Sequence, residues 1–188
     1  MSEAPATGRP GRYQRSVGGL VGALVILLGV VGAFVAVRAL ARGEIEVRPE
    51  PVDYLATVRN VQAAGLEVVY PASLPADWLA TTVSLRPAVE ESWGISMLAD
   101  DGTYVGLRQD DKELDDLLTT YVDENVTEVE AVAIESRLAG RWRVFTDEGG
   151  DTAYAARAGP GRAWVVVYGS ADRGRLERIV VALTRDPA

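Results

Sequence analysis

Ser92–Tyr121 reads SWGISMLADDGTYVGLRQDDKELDDLLTTY, and its hydrophobic period changes once along the way. Ser92–Ala99 and Thr103–Gln109 alternate as strands do. Asp100-Asp101-Gly102 between them is a tight-hairpin signal, because Gly and Asp tolerate a positive φ. After Asp110 and Asp111, either of which can cap a helix, Leu114, Leu117, Leu118 and Tyr121 fall at i, i+3, i+4 and i+7. That stripe predicts a helix to about Val122. The stretch is therefore strand, turn, strand, capped helix.

The same order returns in Ala153–Leu183. Ala163–Tyr168 is the most apolar strand and is expected near the centre of a sheet. Gly169-Ser170 ends it, Ser170 or Asp172 caps, and Leu176, Ile179, Val180 and Leu183 repeat the helical stripe. Between the two units lie strands at about Val129–Ser136, Arg141–Thr146 and Asp151–Ala158. Turns occur at Leu138-Ala139-Gly140, Asp147–Gly150 and Gly159-Pro160-Gly161. Upstream, Val52–Ala64 reads as a helix capped near Asp53 and stopped by Gly65. Leu66–Tyr70 reads as a strand ended by Pro71, and Leu79–Arg86 as another after the Pro71–Pro75 turn. The expected class is α+β, an antiparallel sheet of about seven to eight strands with two to three helices packed on it.

Val17–Val37, VGGLVGALVILLGVVGAFVAV, is a different material. Its 21 residues include no charge and no Pro. At about 1.5 Å per residue it reaches roughly 31 Å, the thickness of a bilayer core. It predicts a transmembrane signal anchor. Residues 1–16 form a basic, disordered tail, 38–51 a linker, and 52–188 the folded domain. Ala39-Leu40-Ala41 would serve as a cleavage site, but the apolar run exceeds an ordinary signal-peptide core. Arg9, Arg12 and Arg15 precede the segment and Arg38, Arg42 and Arg48 follow it, so the positive-inside rule is nearly tied. The N-terminal amine and the arginine density next to the core favour a cytoplasmic N-terminus, with residues 43–188 extracytoplasmic. Gly18, Gly22, Gly29 and Ala36 offer small residues for a weak dimer through this helix; a plain lipid-facing helix is the simpler reading.

Charge divides the chain at the same place. Residues 1–42 carry five arginines against Glu3, a charge of +4, which leaves −12 for residues 43–188 out of a total of −8. So acidic a domain repels phosphate backbones and argues against nucleic acid. There is no Cys and no His. Disulfides, thiolate nucleophiles, imidazole bases and Ser-His-Asp triads are excluded. No cofactor or metal site is expected. The acids at Asp100-Asp101 and Asp110–Asp116 lack the calcium-loop pattern and suit a helix start. Carboxylate-based mechanisms and Lys or Tyr chemistry survive, and of these a carboxylate-only hydrolase is the catalytic alternative. A single lysine, Lys112, beside 18 arginines points to a GC-rich bacterial genome.

Pro71, Leu74, Pro75 and Trp78 (P-x-x-L-P-x-x-W), Trp93-Gly94, Asp101-Gly102-Thr-Tyr104-Val-Gly106-Leu-Arg-Gln109, Gly140-Arg-Trp142 and the closing Val-Val-Val-Tyr-Gly169 follow one another in a recognisable order. In these the chain resembles the actinobacterial family catalogued as domain of unknown function 4245, single-pass membrane proteins with an extracytoplasmic domain. The resemblance implies location and architecture and no activity. The expected function is a non-enzymatic binding or interaction module of the cell envelope, bound to the cytoplasmic membrane bilayer and to an envelope protein. The alternative is a lipid or lipoglycan carrier. Trp78, Trp93, Tyr104, Trp142 and Trp164 are the candidate groove residues for either ligand, with core packing as the simpler role for the tryptophans.

Overall fold

The computed structural model describes residues 17–41, 49–86, 92–158 and 163–188. The basic tail, residues 42–48 of the linker and the 159–161 turn lie outside the described residues. The chain divides into two compact units, one through Arg48 and one from Pro49 onward.

In the first unit Val17–Ala41 is a helix of 25 residues, α1. Its large side chains are open to solvent, Ile26 at 69% and Leu28 at 62%. Among the described residues no helix is long and apolar enough to cross a membrane. Described side chains run unbroken only from Gly19 to Val35, while the backbone helix continues beyond both. The expected span is thus present as an apolar helix and not as a demonstrated crossing.

The second unit is built on an antiparallel seven-stranded sheet. Its strands are β2 (Trp78–Arg86), β3 (Ser92–Ala99), β4 (Tyr104–Asp110), β5 (Thr127–Val132), β6 (Trp142–Thr146), β7 (Thr152–Arg157) and β8 (Trp164–Gly169). They lie in the order β2-β3-β4-β8-β7-β6-β5, which puts β8 in the middle as its apolar run requires. Helices α2 (Tyr54–Ala63) and α4 (Arg173–Ala182) pack on one face, and α3 (Leu114–Tyr121) on the other. The class is α+β as expected, in three layers.

Capping follows the sequence at two helices of three. Asp53 accepts from the Ala56 N–H at 2.9 Å, and Asp172 from the Arg175 N–H at 2.9 Å. At α3 the expected Asp110 or Asp111 cap is replaced. The cap is Glu113, without a side-chain bond, and the helix starts later. Asp110 instead finishes β4, buried at 2%, and accepts from the Lys112 N–H. That is an Asx turn rather than a cap.

The strand expected over Leu66–Tyr70 is the larger correction. Only Tyr70–Pro71 pairs (β1), with Leu183–Thr184 (β9). Residues 66–69 join no ladder and are held by side chains. Gln109 Oε1 accepts from the Val69 N–H at 2.7 Å, and Gln109 Nε2 donates to the Glu67 carbonyl at 2.8 Å. Trp93 Nε1 donates to the Val69 carbonyl at 2.8 Å. Two sheet side chains do the work of a neighbouring strand, so a period-two pattern appears without a ladder.

Candidate functional site

Strand alternation sends every second residue of β3 and β4 to each face. On the face under α2 and α4, Trp93, Ile95, Met97, Val105 and Leu107 join Val58, Leu176 and Ile179 in one buried cluster. On the other face, Leu114, Leu117 and Leu118 of α3 pack on Phe145, Ala153, Ala155, Val166 and Tyr168. That second cluster contains no residue of β2 or β3. Among the described residues α3 therefore roofs β6, β7 and β8 and reaches β4 through Tyr121, and the same face of β2 and β3 is left without a helix.

This uncovered shelf has its own chemistry. Its strand-to-strand rows are Thr82, Ser96 and Gly106, then Ser84, Gly94 and Arg108, with Arg86 beyond and Leu98 beside Tyr104 before. Asp110 follows Arg108 on this face of β4 and is buried; no other described position in these rows is a carboxylate. Two glycines form the floor. A Cβ at Gly94 would run into the Arg108 guanidinium, and one at Gly106 into the Tyr168 ring. Their absence lets both large side chains lie flat across the neighbouring strand.

Three tyrosines and the arginine then interlock. Tyr168 meets Tyr104 edge-on at 6.1 Å between centroids and Tyr121 at 6.0 Å. The Tyr104 hydroxyl lies 3.3 Å from Ser96 Oγ and 3.5 Å from the Tyr168 hydroxyl. Arg108 carries its guanidinium carbon 4.9 Å above the Tyr121 ring, and Nη1 donates to the Leu107 carbonyl at 2.9 Å. Burial, then the bond to Tyr104, pushes the Tyr168 hydroxyl far above its ordinary range.

The five residues read as a groove do not form one. Trp78, Trp93 and Trp142 lie in the α2/α4 core at 7%, 2% and 0% exposure, while Tyr104 and Trp164 lie on the opposite face. Five alternating aromatics cannot share a groove when the sheet separates them. The Trp142 indole N–H is shared between Ser136 Oγ and the Ala139 carbonyl, both at 3.3 Å. Trp164 stacks under Arg157 at 4.2 Å, and its buried indole N–H has no partner among the described residues. Gly22 and Gly29 have open space where a Cβ would stand; the side-chain surroundings of Gly18 and Ala36 lie outside the described residues.

The carboxylates also separate. Asp100, Asp101, Asp111, Asp115 and Asp116 are exposed, and Asp110 is buried alone in its turn. Asp101 is bound by Thr103 and then by Arg175, which reaches it at 2.7 Å; these partners hold its carboxyl down at about 2. Among the described residues no group of three acids could hold a metal ion. The recess lined by Trp93, Gln109 and Leu66 encloses about 50 Å³. A wider depression of about 500 Å³ lies open between Leu74-Pro75 and the Val181 side of α4.

The description "Protein of unknown function (DUF4245)" matches residues 12–183. The chain belongs to that family. No curated protein and no solved structure matches it. In this DUF4245 protein the motif residues are builders. Trp93 and Gln109 pin residues 66–69. Gly94 and Gly106 make the shelf floor, and Gly169, at φ +148°, brings β8 against the Tyr104 carbonyl. Sequence reading missed Arg108, Tyr121 and Tyr168 as a group. The available signal was a pair of strand glycines twelve residues apart, but its meaning depends on the β3-β4-β8 register.

Proposed function

We propose that this DUF4245 protein is a membrane-held binding module, with α1 as its anchor and residues 43–188 displayed outside the cytoplasmic membrane. It acts by docking rather than by catalysis. The observation that carries the reading is the pairing of an apolar helix, solvent-open along its length, with a separate compact acidic unit. About twenty apolar residues suit a bilayer. The uncharged run of Val17–Val37 and the +4/−12 division of charge support the same arrangement.

Docking is favoured over lipid carriage by the volumes. A recess of about 50 Å³ has no room for an acyl chain, and small-molecule sites usually need several hundred. The Leu74–Val181 depression is large enough but open, so it would shield little of a lipid.

Membrane fractionation tests the anchor. The full chain is expected to stay with membranes through alkaline carbonate washing. The double substitution Val25→Arg, Leu28→Arg places two charges mid-helix, at about 2.5–3.5 kcal/mol each, and should release it. A wild-type chain washed off by carbonate would contradict the reading.

A further inference from the structure

We propose that the uncovered shelf of β2–β4 is a protein-docking face that takes a short acidic segment of a partner, with Arg108 receiving its carboxylate. The proposal deepens the reading of the domain as a binding module and does not depend on which side of the membrane it occupies.

Composition is the first argument. Tyr and Arg dominate interface hot spots, whereas Asp, Glu and Lys are depleted at interface centres. The shelf joins Tyr104, Tyr121 and Tyr168 to Arg108 and to serine and threonine hydroxyls, and the one carboxylate in its described strand rows, Asp110, is buried. In a chain with 27 acids and 19 basic residues, described strand rows that hold Arg86 and Arg108 and no exposed acid are a local reversal of charge. An acidic partner is complementary to it.

Preorganisation is the second. The Arg108 guanidinium is held by the Leu107 carbonyl and by the Tyr121 ring of α3. Among the described residues no carboxylate pairs with it. Its remaining N–H groups present a planar fork, the geometry that binds a carboxylate through two parallel bonds. The Gly94 floor keeps the fork flat on the sheet. Little side-chain entropy is left to lose on binding.

Size is the third. Three strands about 4.8 Å apart and about five residues long present on the order of 250 Å², well below the roughly 800 Å² per partner of a standard interface. A short segment fits that footprint better than a whole domain does. Because the domain carries −12, encounter is opposed at long range while the docked carboxylate is held locally. At about 0.15 M salt the distant repulsion is screened beyond roughly 8 Å.

The test is a titration of the full chain in detergent micelles at that salt. The probes are two labelled twelve-residue peptides, one alternating glutamate with tyrosine and one alternating lysine with tyrosine. Binding is read by anisotropy, and the site by the Arg108 side-chain N–H resonance. The glutamate peptide should bind saturably and move that resonance, and the lysine peptide should do neither. Arg108→Gln should weaken binding at least tenfold. Gly94→Ala, which displaces the guanidinium by its tip, should do the same with the amide spectrum otherwise preserved. Arg178→Gln, on the exposed side of α4, should change nothing. Equal binding of both peptides, an unmoved Arg108 resonance, or loss on Arg178→Gln in place of Arg108→Gln would overturn the proposal. A chain that fails this titration and still resists carbonate keeps its anchor and loses only the shelf.

Discussion

At Gly106 a missing side chain decides where an aromatic ring lies, and the cost of supplying one depends on what it meets. Tyr168 is clamped between Tyr104 and Tyr121, so Gly106→Ala must shift a ring that has no free space. A loss of about 1–3 kcal/mol is expected in chemical denaturation. At Gly94 the obstacle is the end of an arginine, which can swing, and Gly94→Ala should cost less than about 1 kcal/mol. Gln109→Ala removes both bonds that hold residues 66–69 and strands the buried Val69 N–H. A loss of about 1–3 kcal/mol and faster amide exchange at Val69 should follow. The tyrosines set the alkaline limit. Burial and then Glu177 push Tyr154 up to about 12. Its stabilisation is complete below the ordinary value of 10 and fades as pH rises from 10 through 12, because the unfolded phenol ionises first. Tyr154→Phe should flatten that part of a pH-melting profile. Sequence reading found Trp93 as a packed residue from its alternation. It could not find the partners of Gly94 and Gly106, which come from the adjacent strands.

Elements were legible wherever a local signal made them. The Asp100-Asp101-Gly102 hairpin, the two apolar helical stripes and the central β8 all rest on residues near in sequence and lie close to their expected places, except that Leu183, read as the last of the second stripe, leaves α4 to pair as β9. The failures are long-range. Residues 66–69 have a strand's pattern but find two side chains in place of a ladder. The repeated strand-turn-strand-helix order is real, yet α3 and α4 go to opposite faces of the sheet, a choice that spacing alone does not encode. That choice leaves the shelf open. One ion pair ties a repeat to its counterpart, since Arg175 of α4 reaches Asp101 in the β3–β4 hairpin at 2.7 Å. Thr103 and Arg175 hold the Asp101 carboxyl at about 2, below its ordinary 3.8. Its contribution is present above 3.8 and disappears as pH falls through 2. Asp101→Asn should therefore lower the melting temperature at pH 7, with the gap to wild type closing towards pH 2.

On the scale of the whole molecule, an apolar helix precedes an acidic sheet domain that is roofed on one face and half-roofed on the other. The ends of the domain are tied together. Tyr70 donates to the Asp186 carbonyl at 2.7 Å, and Gln62 of α2 holds both the Asp186 carbonyl and the Ala188 N–H at 3.0 Å. Removing residues 183–188 should therefore loosen α2 and β1 together, seen as coincident loss of amide protection in both. The central claim is that α1 holds this domain outside the membrane with its open sheet face free to dock. The most direct measurement fuses a reporter after Ala188, once with an enzyme active only outside the cytoplasm and once with one active only inside. The account predicts activity from the first fusion, in the membrane fraction, and none from the second. Activity from the second alone, or a chain wholly in the soluble fraction, would contradict it.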